Sequence, residues 1–278
     1  MTATAPASPA EQALKDGDLA AALKHLQTQV RAQPANAGLR VFLFQLLCVQ
    51  GDWTRALNQL NVAGELDAGT LAMVQAYRET IQCEGLREQV FKGQKAPLLF
   101  GEPEPWIALL IEALLREGRG DLADGAALRA QGFEQAPATA GQVLVDGHET
   151  PQAFEWIADA DMRLGPVLEA VVNGKYYWVP FTRLAQVTIE APSDLRDRVW
   201  MPAQLTFANG GEVVAFLPTR YAGSDLADAQ VALARKTEWS EPRPGLFIGS
   251  GQRMLTTEAA DLPLMDVRTI TLGAPADG

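Results

Sequence analysis

Two aspartates and an arginine lie close together in the segment WIADADMRLGP, residues 156–166. Carboxylates at this spacing suit a metal site, an acid/base pair or a salt-bridged turn. Asp159, Asp161 and Arg163 are therefore the first candidates for chemistry in the chain. Which of the three arrangements they form depends on the backbone that carries them.

The residues around these aspartates predict a short helix over 150–162, TPQAFEWIADADM, because its opening Thr-Pro pair suits a helix N-terminus. Residues two apart on a helix lie about 200° apart around its axis. Asp159 and Asp161 would then neither chelate one ion nor share one proton. Arginines are plentiful in this half of the chain. We predict that Asp159, Asp161 and Arg163 form structural charge pairs, with no catalytic or metal-binding role.

No other motif predicts an active site or a cofactor site. The GSGQR segment at 249–253 lacks the Lys-Ser/Thr pair of a phosphate-binding loop and the glycine spacing of a dinucleotide fingerprint, so it is predicted to be a turn between strands. His25 and His148 lie far apart without a neighbouring Cys or His, which disfavours zinc binding. Cys48 and Cys83 fall in apolar helical patterns and are predicted to be buried, reduced thiols. We expect no metal and no cofactor.

The composition is that of a globular protein with an excess of negative charge. The 278 residues are 47% hydrophobic and 21% charged, with a formal net charge of -11. Such a surface repels nucleic-acid phosphates and anionic membranes. No stretch reaches the roughly 20 apolar residues of a membrane-spanning helix, and the first residues show no secretory signal. We therefore expect a cytoplasmic protein that binds other proteins, without nucleic-acid or membrane partners.

The first half of the chain repeats at an interval of 34 residues. GDLAAALKHL begins at Gly17 and GDWTRALNQL at Gly51, and further steps reach Gly85 and, with one inserted residue, Gly120. Each glycine is predicted to end the first helix of a helical pair. A helix–turn–helix unit of this length resembles the tetratricopeptide repeat. Residues 9–140 are therefore predicted to form an irregular, all-α, tetratricopeptide-like domain.

The second half, residues 141–273, is predicted to be an α+β domain built mainly from antiparallel strands. Asn173-Gly174 and the turn at 209–211 each separate two runs of apolar, β-favouring residues, which is the pattern of β-hairpins. The strand KYYWVPF at 175–181 is apolar on both faces. It is either central in a two-sided core or covers a binding groove, and central burial is the favoured interpretation. Residues 1–8 are predicted to be a disordered tail, and residues 274–278 a second tail.

Several sequence blocks in a fixed order carry a family resemblance. They are WIADADMRLGPVLEAVVNGKYYWVPF, DLRDRVWMPA, NGGEVVAFLPTRYAGS, LARKTEW and GQRML in the second half, and YRETIQCEGLREQVF and GEPEPWIALLIEAL in the first. In these blocks the chain resembles the ImpE (TagJ, SciE-type) family of type VI secretion accessory proteins. The resemblance covers nearly the whole chain and implies a tetratricopeptide-like domain followed by an α+β domain, without enzymatic activity. It also implies binding to the N-terminal helix of TssB, the small contractile-sheath subunit, and an influence on sheath handling by the ClpV ATPase.

Two surfaces are candidates for binding a partner helix. The α+β domain is dense in aromatic residues and arginines, which suits a groove with aromatic anchors and a charged rim. Alternatively, the concave face of the helical array could bind the helix. We favour the α+β domain, with these predicted partner-binding residues: Trp156, Tyr177, Trp178, Trp200 and Arg220.

Two other functions remain open from the residues alone. One is a general tetratricopeptide scaffold for another protein complex. The other is an enzyme that uses the Asp/Arg cluster, which requires an accessible cleft with convergent carboxylates and perturbed pKa values.

Overall fold

The computed structural model describes residues 7–273 and shows a helical first half followed by a half built mainly from strands. The predicted tails at 1–8 and 274–278 lie almost wholly outside the described residues, although Ser8 caps the first helix. No described helix is long and apolar enough to cross a membrane. The helices of the first half are α1 (Pro9–Lys15), α2 (Leu19–Ala32), α3 (Ala37–Val49), α4 (Trp53–Leu66), α5 (Leu71–Phe91), α6 (Pro105–Gly118) and α7 (Leu122–Gln135).

The pairs α1–α2 and α3–α4 confirm the predicted helical repeat. Gly17 and Gly51 adopt positive φ angles of 79° and 72° after the first helix of each pair, a conformation that glycine reaches at little cost. The aspartate after each glycine then caps the second helix by accepting a hydrogen bond from a backbone N–H three residues on. The Gly-Asp dipeptide is therefore a helix end followed by a helix start.

The predicted helix end at Gly85 is wrong, because α5 continues through this residue. One glycine inside a helix costs about 1 kcal/mol relative to alanine, and no capping residue follows Gly85 to start a new helix. Cys83 and Val90, on either side of it, are buried in a core that α5 shares with the sheet. Tertiary packing therefore outweighs the local cost of the glycine.

The second half confirms a mainly antiparallel α+β arrangement, with nine-, three- and two-stranded sheets. The strands are β1 (Leu98–Leu99), β2 (Gly141–Val145), β3 (Gln152–Phe154), β4 (Ile157–Asp159), β5 (Val167–Val172), β6 (Lys175–Pro180), β7 (Leu184–Ile189), β8 (Trp200–Phe207), β9 (Glu212–Pro218), β10 (Thr237–Arg243), β11 (Leu246–Gly251), β12 (Met254–Thr257), β13 (Asp261–Pro263) and β14 (Val267–Leu272). The sheet orders are β1-β6-β5-β9-β8-β7-β14-β2-β3, β13-β12-β4 and β10-β11. A short helix, α8 (Ala229–Ala232), lies between β9 and β10.

Both predicted hairpins are present. Asn173 and Gly174 join β5 to β6 with φ angles of 48° and 70°, the left-handed pair that a tight two-residue hairpin turn requires. The turn at 209–211 joins β8 to β9, and the Asn209 side chain accepts the N–H of Gly211 at 3.0 Å. These turns are specified locally by Asn and Gly.

The helix predicted over 150–162 is wrong, because the segment forms β3 and β4 and then turns. β3 pairs with β2, whereas β4 pairs with β12 of the three-stranded sheet. Phe154 and Ile157 both enter the core beneath the sheets. The partner of β4 is about a hundred residues further along the chain, so local helix signals could not reveal the pairing that decides this segment.

The two halves share two hydrophobic cores, while a third core is built from the sheet half. Leu98–Leu99, in the connection between α5 and α6, pairs in parallel with Tyr177 and Trp178 of β6. The region predicted to be all-α therefore contributes a strand to the large sheet. Tyr176 and Trp178 pack with α5 and α6 on one face of β6, while Val179 lies in the core on the other. Central burial of the KYYWVPF strand is confirmed.

Candidate functional site

The aspartates of the ADADMR segment form a tight turn after β4. Asp159 accepts the N–H of Asp161, and Asp161 accepts the N–H of Arg163, each at 2.9 Å. A side chain that bonds two residues ahead in this way is typical of aspartate in turns. Asp161 also binds the Arg163 guanidinium at 2.6 Å and the N–H of Gly249 at 3.1 Å. Its two oxygens are therefore engaged by the protein itself.

Behind this turn lies a buried charge cluster that joins the sheet to α5, formed by Asp159, Glu169, Arg253 and Arg87. Glu169 of β5 is 0% exposed and accepts two hydrogen bonds from Arg87 of α5, at 2.7 and 3.1 Å. It also pairs with Arg253 and accepts the hydroxyl of Tyr176. Arg253 in turn lies 3.4 Å from Asp159. Positive and negative groups alternate, which offsets part of the cost of removing them from water.

Burial shifts the pKa values in the buried charge cluster against the charged forms. It raises the pKa of Asp159 to about 7, a shift that the Arg253 guanidinium opposes only in part. It lowers the pKa of Arg253 to about 10 and raises that of Tyr176 far above its ordinary value. Asp159 therefore changes charge near neutral pH.

The arrangement does not place convergent carboxylates on an accessible surface. Asp159 and Asp161 are 3% and 0% exposed, and each faces an arginine. In residues 7–273, no three His, Cys, Asp or Glu side chains are grouped so as to hold a metal ion. The enzymatic alternative therefore loses the accessible carboxylate pair on which it depended.

Both cysteines are free and buried within the helical half. Burial raises the pKa of the Cys83 thiol to about 12 and that of Cys48 well above its ordinary value. A thiol that stays protonated is a poor nucleophile and a poor metal ligand. The two residues act as packing groups.

Arg220 is a buried helix cap and not part of a partner-binding rim, so this prediction is wrong. It is 5% exposed and donates hydrogen bonds to the carbonyls of Cys48 and Val49 at the end of α3, and of Ala232 at the end of α8. A guanidinium there satisfies carbonyls that the helix leaves unpaired and complements the negative end of the helix dipole. Arg220 therefore ties the helical half to the sheet half.

The prediction that Trp178 and Trp200 are surface anchors is also wrong, since both side chains are 0% exposed. The Trp200 ring packs against Trp53 and Tyr77, with centroids 5.6 and 6.0 Å away, and its Nε1 donates to a glutamate of α5. Tyr177 is half-buried and packs edge-on against Phe100 at 5.4 Å. The aromatic density of this half therefore serves a core with helices on one side.

The sheet half itself covers an apolar face of the helical array. Trp200 and Phe216 pack into the core formed by α3, α4 and α5, where Phe216 lies 4.9 Å from the Tyr77 ring. A partner helix could bind this face only by displacing them. This occupied face argues against the array as the binding surface.

Trp156 is the predicted anchor that does reach the surface, with 37% of its area exposed. It lies on a groove of about 370 Å³ between the end of α7 and β4, here called the Trp156 groove. The carboxylate of Glu258 accepts the N–H groups of Glu155 and Trp156 and so fixes the backbone beside the groove. Its apolar lining includes Phe133, Ala136, Pro137, Trp156, Ile157, Met162 and Pro166.

The wall of the Trp156 groove depends on a close contact between the two halves. Gly165 has a φ of 63°, and a Cβ atom on it would lie 2.4 Å from the Phe133 ring of α7. Only a glycine lets the ring lie against this turn. Phe133 and Met162 were not predicted from the sequence, because no local pattern connects residues that meet only through the fold.

Comparisons with known proteins agree with this two-part architecture. Residues 151–271 match the ImpE protein family, and residues 13–78 match a tetratricopeptide repeat. Over 262 residues the chain is 52% identical to the type VI secretion system accessory component TagJ of Pseudomonas aeruginosa, covering 94% of this chain and 90% of that protein. A crystal structure of a protein from Vibrio parahaemolyticus shares the fold, with a TM-score of 0.84 at 24% identity over 96% of this chain and 98% of that one.

Proposed function

The chain belongs to the ImpE family, and from this membership we propose that it is a non-enzymatic adaptor of a type VI secretion system. Its proposed partner is the N-terminal helix of TssB, the small sheath subunit, and its binding influences how the ClpV ATPase handles the sheath. Two findings support an adaptor: the 52% identical relative is itself an accessory component, and tetratricopeptide-like arrays commonly bind protein segments. The proposed setting is the cytoplasm.

The Trp156 groove is the observation that carries the choice of binding surface. An amphipathic helix binds a groove by inserting apolar side chains spaced three and four residues apart, and a tryptophan at such a groove is a frequent energetic anchor. The groove is apolar, and the exposed Glu155 lies beside Trp156. We therefore propose a partner helix with an apolar stripe and basic residues next to it.

A direct test titrates a fluorescently labelled TssB N-terminal peptide with the purified protein. We expect saturable binding that Trp156→Ala weakens about 30-fold, since losing an anchor of this kind costs about 2 kcal/mol. The matched control is Trp239→Ala. Trp239 is 45% exposed but lies on β10, where it packs against Tyr221, so its loss is expected to leave binding unchanged.

Four outcomes would count against parts of the proposal. Absence of saturable binding at tens of micromolar protein argues against TssB as the partner. Equal weakening by both tryptophan variants argues against the Trp156 groove. Weakening confined to variants of the exposed α4–α5 corner, such as Leu71→Ala, would place the binding surface on the helical array, because Leu71 is 54% exposed there. An affinity capture without secretion components would favour a general scaffold.

A further inference from the structure

Three arginines surround a second cavity, of about 430 Å³, on this otherwise acidic chain. They come from separate segments: Arg198 follows β7, Arg235 follows α8, and Arg268 lies in β14. We propose that this arginine pocket binds a small phosphate dianion, either inorganic phosphate or a phosphate monoester. The site lies outside the Trp156 groove and shares none of its lining residues.

Arg198 is the residue that most needs an anion. Its guanidinium makes a weak contact with the Met265 sulfur at 3.5 Å, and among the described residues no carboxylate lies within ion-pair distance of it. The neighbouring Asp197 does not form an ion pair with Arg198. Its carboxylate accepts the N–H groups of Ser193 and Asp194 at 2.8 Å. A half-buried guanidinium without a counter-charge is costly, and an anion in the pocket offsets that cost.

Burial and the nearby Arg235 both lower the pKa of Arg198, whereas Asp197 raises it less. The two guanidinium groups therefore repel each other across the pocket. An anion between them would convert this repulsion into two favourable charge-assisted contacts.

The other two arginines are held in place by backbone carbonyls. Arg235 donates to the carbonyls of Leu14 and Lys15 at the end of α1. Arg268 donates to the carbonyls of Met265 and Val267 and, at 3.2 Å, to the exposed Asp146. These contacts immobilise both side chains before a ligand arrives and so reduce the entropy lost on binding.

The unpaired arginines of the pocket favour a phosphoryl group over a single carboxylate. Asp146 and Asp266 also line the pocket, and Arg268 pairs with Asp146. Among the described residues, Arg198 and Arg235 have no carboxylate within ion-pair distance, and a phosphoryl group, which carries about two charges near neutral pH, can contact both. Apolar wall residues such as Pro192 leave room for a small organic substituent.

The test is calorimetric titration of the full chain with inorganic phosphate and, separately, with phenyl phosphate. Chloride keeps the ionic strength constant. We expect saturable one-to-one binding that Arg198→Gln weakens at least about tenfold, as expected for lost charge-assisted hydrogen bonds. Tighter binding of phenyl phosphate would identify an ester as the ligand, and equal or tighter binding of inorganic phosphate would identify the free ion. Arg55→Gln is the control, because Arg55 is exposed on α4 and pairs with Asp52.

A second variant protects the test against misfolding of the first. Asp266 is exposed, so Asp266→Asn removes a competing carboxylate without disturbing the core and is expected to tighten phosphate binding severalfold. The proposal is overturned if neither probe shows saturable binding to the wild type, if Arg198→Gln binds as tightly as the wild type, or if Asp266→Asn fails to strengthen binding.

Discussion

Replacing Arg87 with methionine tests whether the buried charge cluster holds the two halves together. Arg87 is 6% exposed and donates hydrogen bonds to Glu169 at 2.7 and 3.1 Å and to the carbonyl of Arg220 at 2.7 Å. Methionine keeps the apolar length of the side chain but removes the charge. Losing one partner of a buried pair costs about 3–5 kcal/mol. Because Arg253 still faces Glu169, we expect the lower end, about 3 kcal/mol.

The assay is urea unfolding at pH 7 followed by tryptophan fluorescence, which reports on the buried Trp178 and Trp200. In a thermal melt of the same variants, the expected loss corresponds to a lowering of Tm by about 6–12 °C for a chain of this size. Arg55→Met is the control, since the Arg55–Asp52 pair is exposed although its atoms are only 3.0 Å apart. An exposed pair contributes about 0–1 kcal/mol.

A double variant, Arg87→Met with Glu169→Gln, separates pairing from packing. If the charges interact directly, the double variant loses less stability than the sum of the single ones, by at least about 1 kcal/mol. The reasoning is refuted if Arg87→Met costs no more than Arg55→Met, or if the two cluster substitutions are strictly additive.

Two further predictions concern Asp159 and Gly165. Burial raises the folded-state pKa of Asp159 to about 7, above the unfolded value of about 3.9. The stability that the protonated carboxyl contributes is therefore fully present below about pH 4 and is lost as the pH rises through 7. The unfolding free energy of the wild type relative to Asp159→Asn should therefore fall by about 1.4 kcal/mol per pH unit between pH 5 and 6 and level off above pH 7, and a flat difference in pH-dependent urea unfolding would contradict this. Gly165→Ala should cost about 2–4 kcal/mol, from its left-handed backbone and the Phe133 ring 2.4 Å from the new Cβ. The control Gly210→Ala, with a φ of 84° and nothing within 4 Å, should lose only about 1–2 kcal/mol in the same unfolding assay, and equal losses would exclude the ring contact as the cause.

Local chemistry was enough to predict the turns and the early helices. Gly17 and Gly51 end a helix, and the aspartate after each starts the next. Asn173-Gly174 turns a hairpin by itself. In each case the residues that make the structure are neighbours in the chain, so their types and spacing carry the information.

Predictions from local sequence were wrong where a segment packs or pairs with residues that are distant in the chain. Gly85 stays helical because α5 packs on the sheet, and 150–162 forms strands because β2 and β12 pair with it. The Arg87–Glu169 pair joins residues 82 positions apart, and no pattern in either segment reveals it. Trp178 and Trp200 looked like anchors because a sequence shows aromatic density but not which face of a sheet is covered.

The sequence by itself therefore determined the order of helical repeats and hairpins, the excess of negative charge and, through its blocks, the family resemblance. Those properties reside in the composition and in contacts over a few residues. Only the tertiary structure decided that the two halves share cores, that Arg220 caps helix ends and that Trp156 lies on an apolar groove. Burial and pairing depend on which distant segments meet, and the exposure of a side chain is a property of the whole fold.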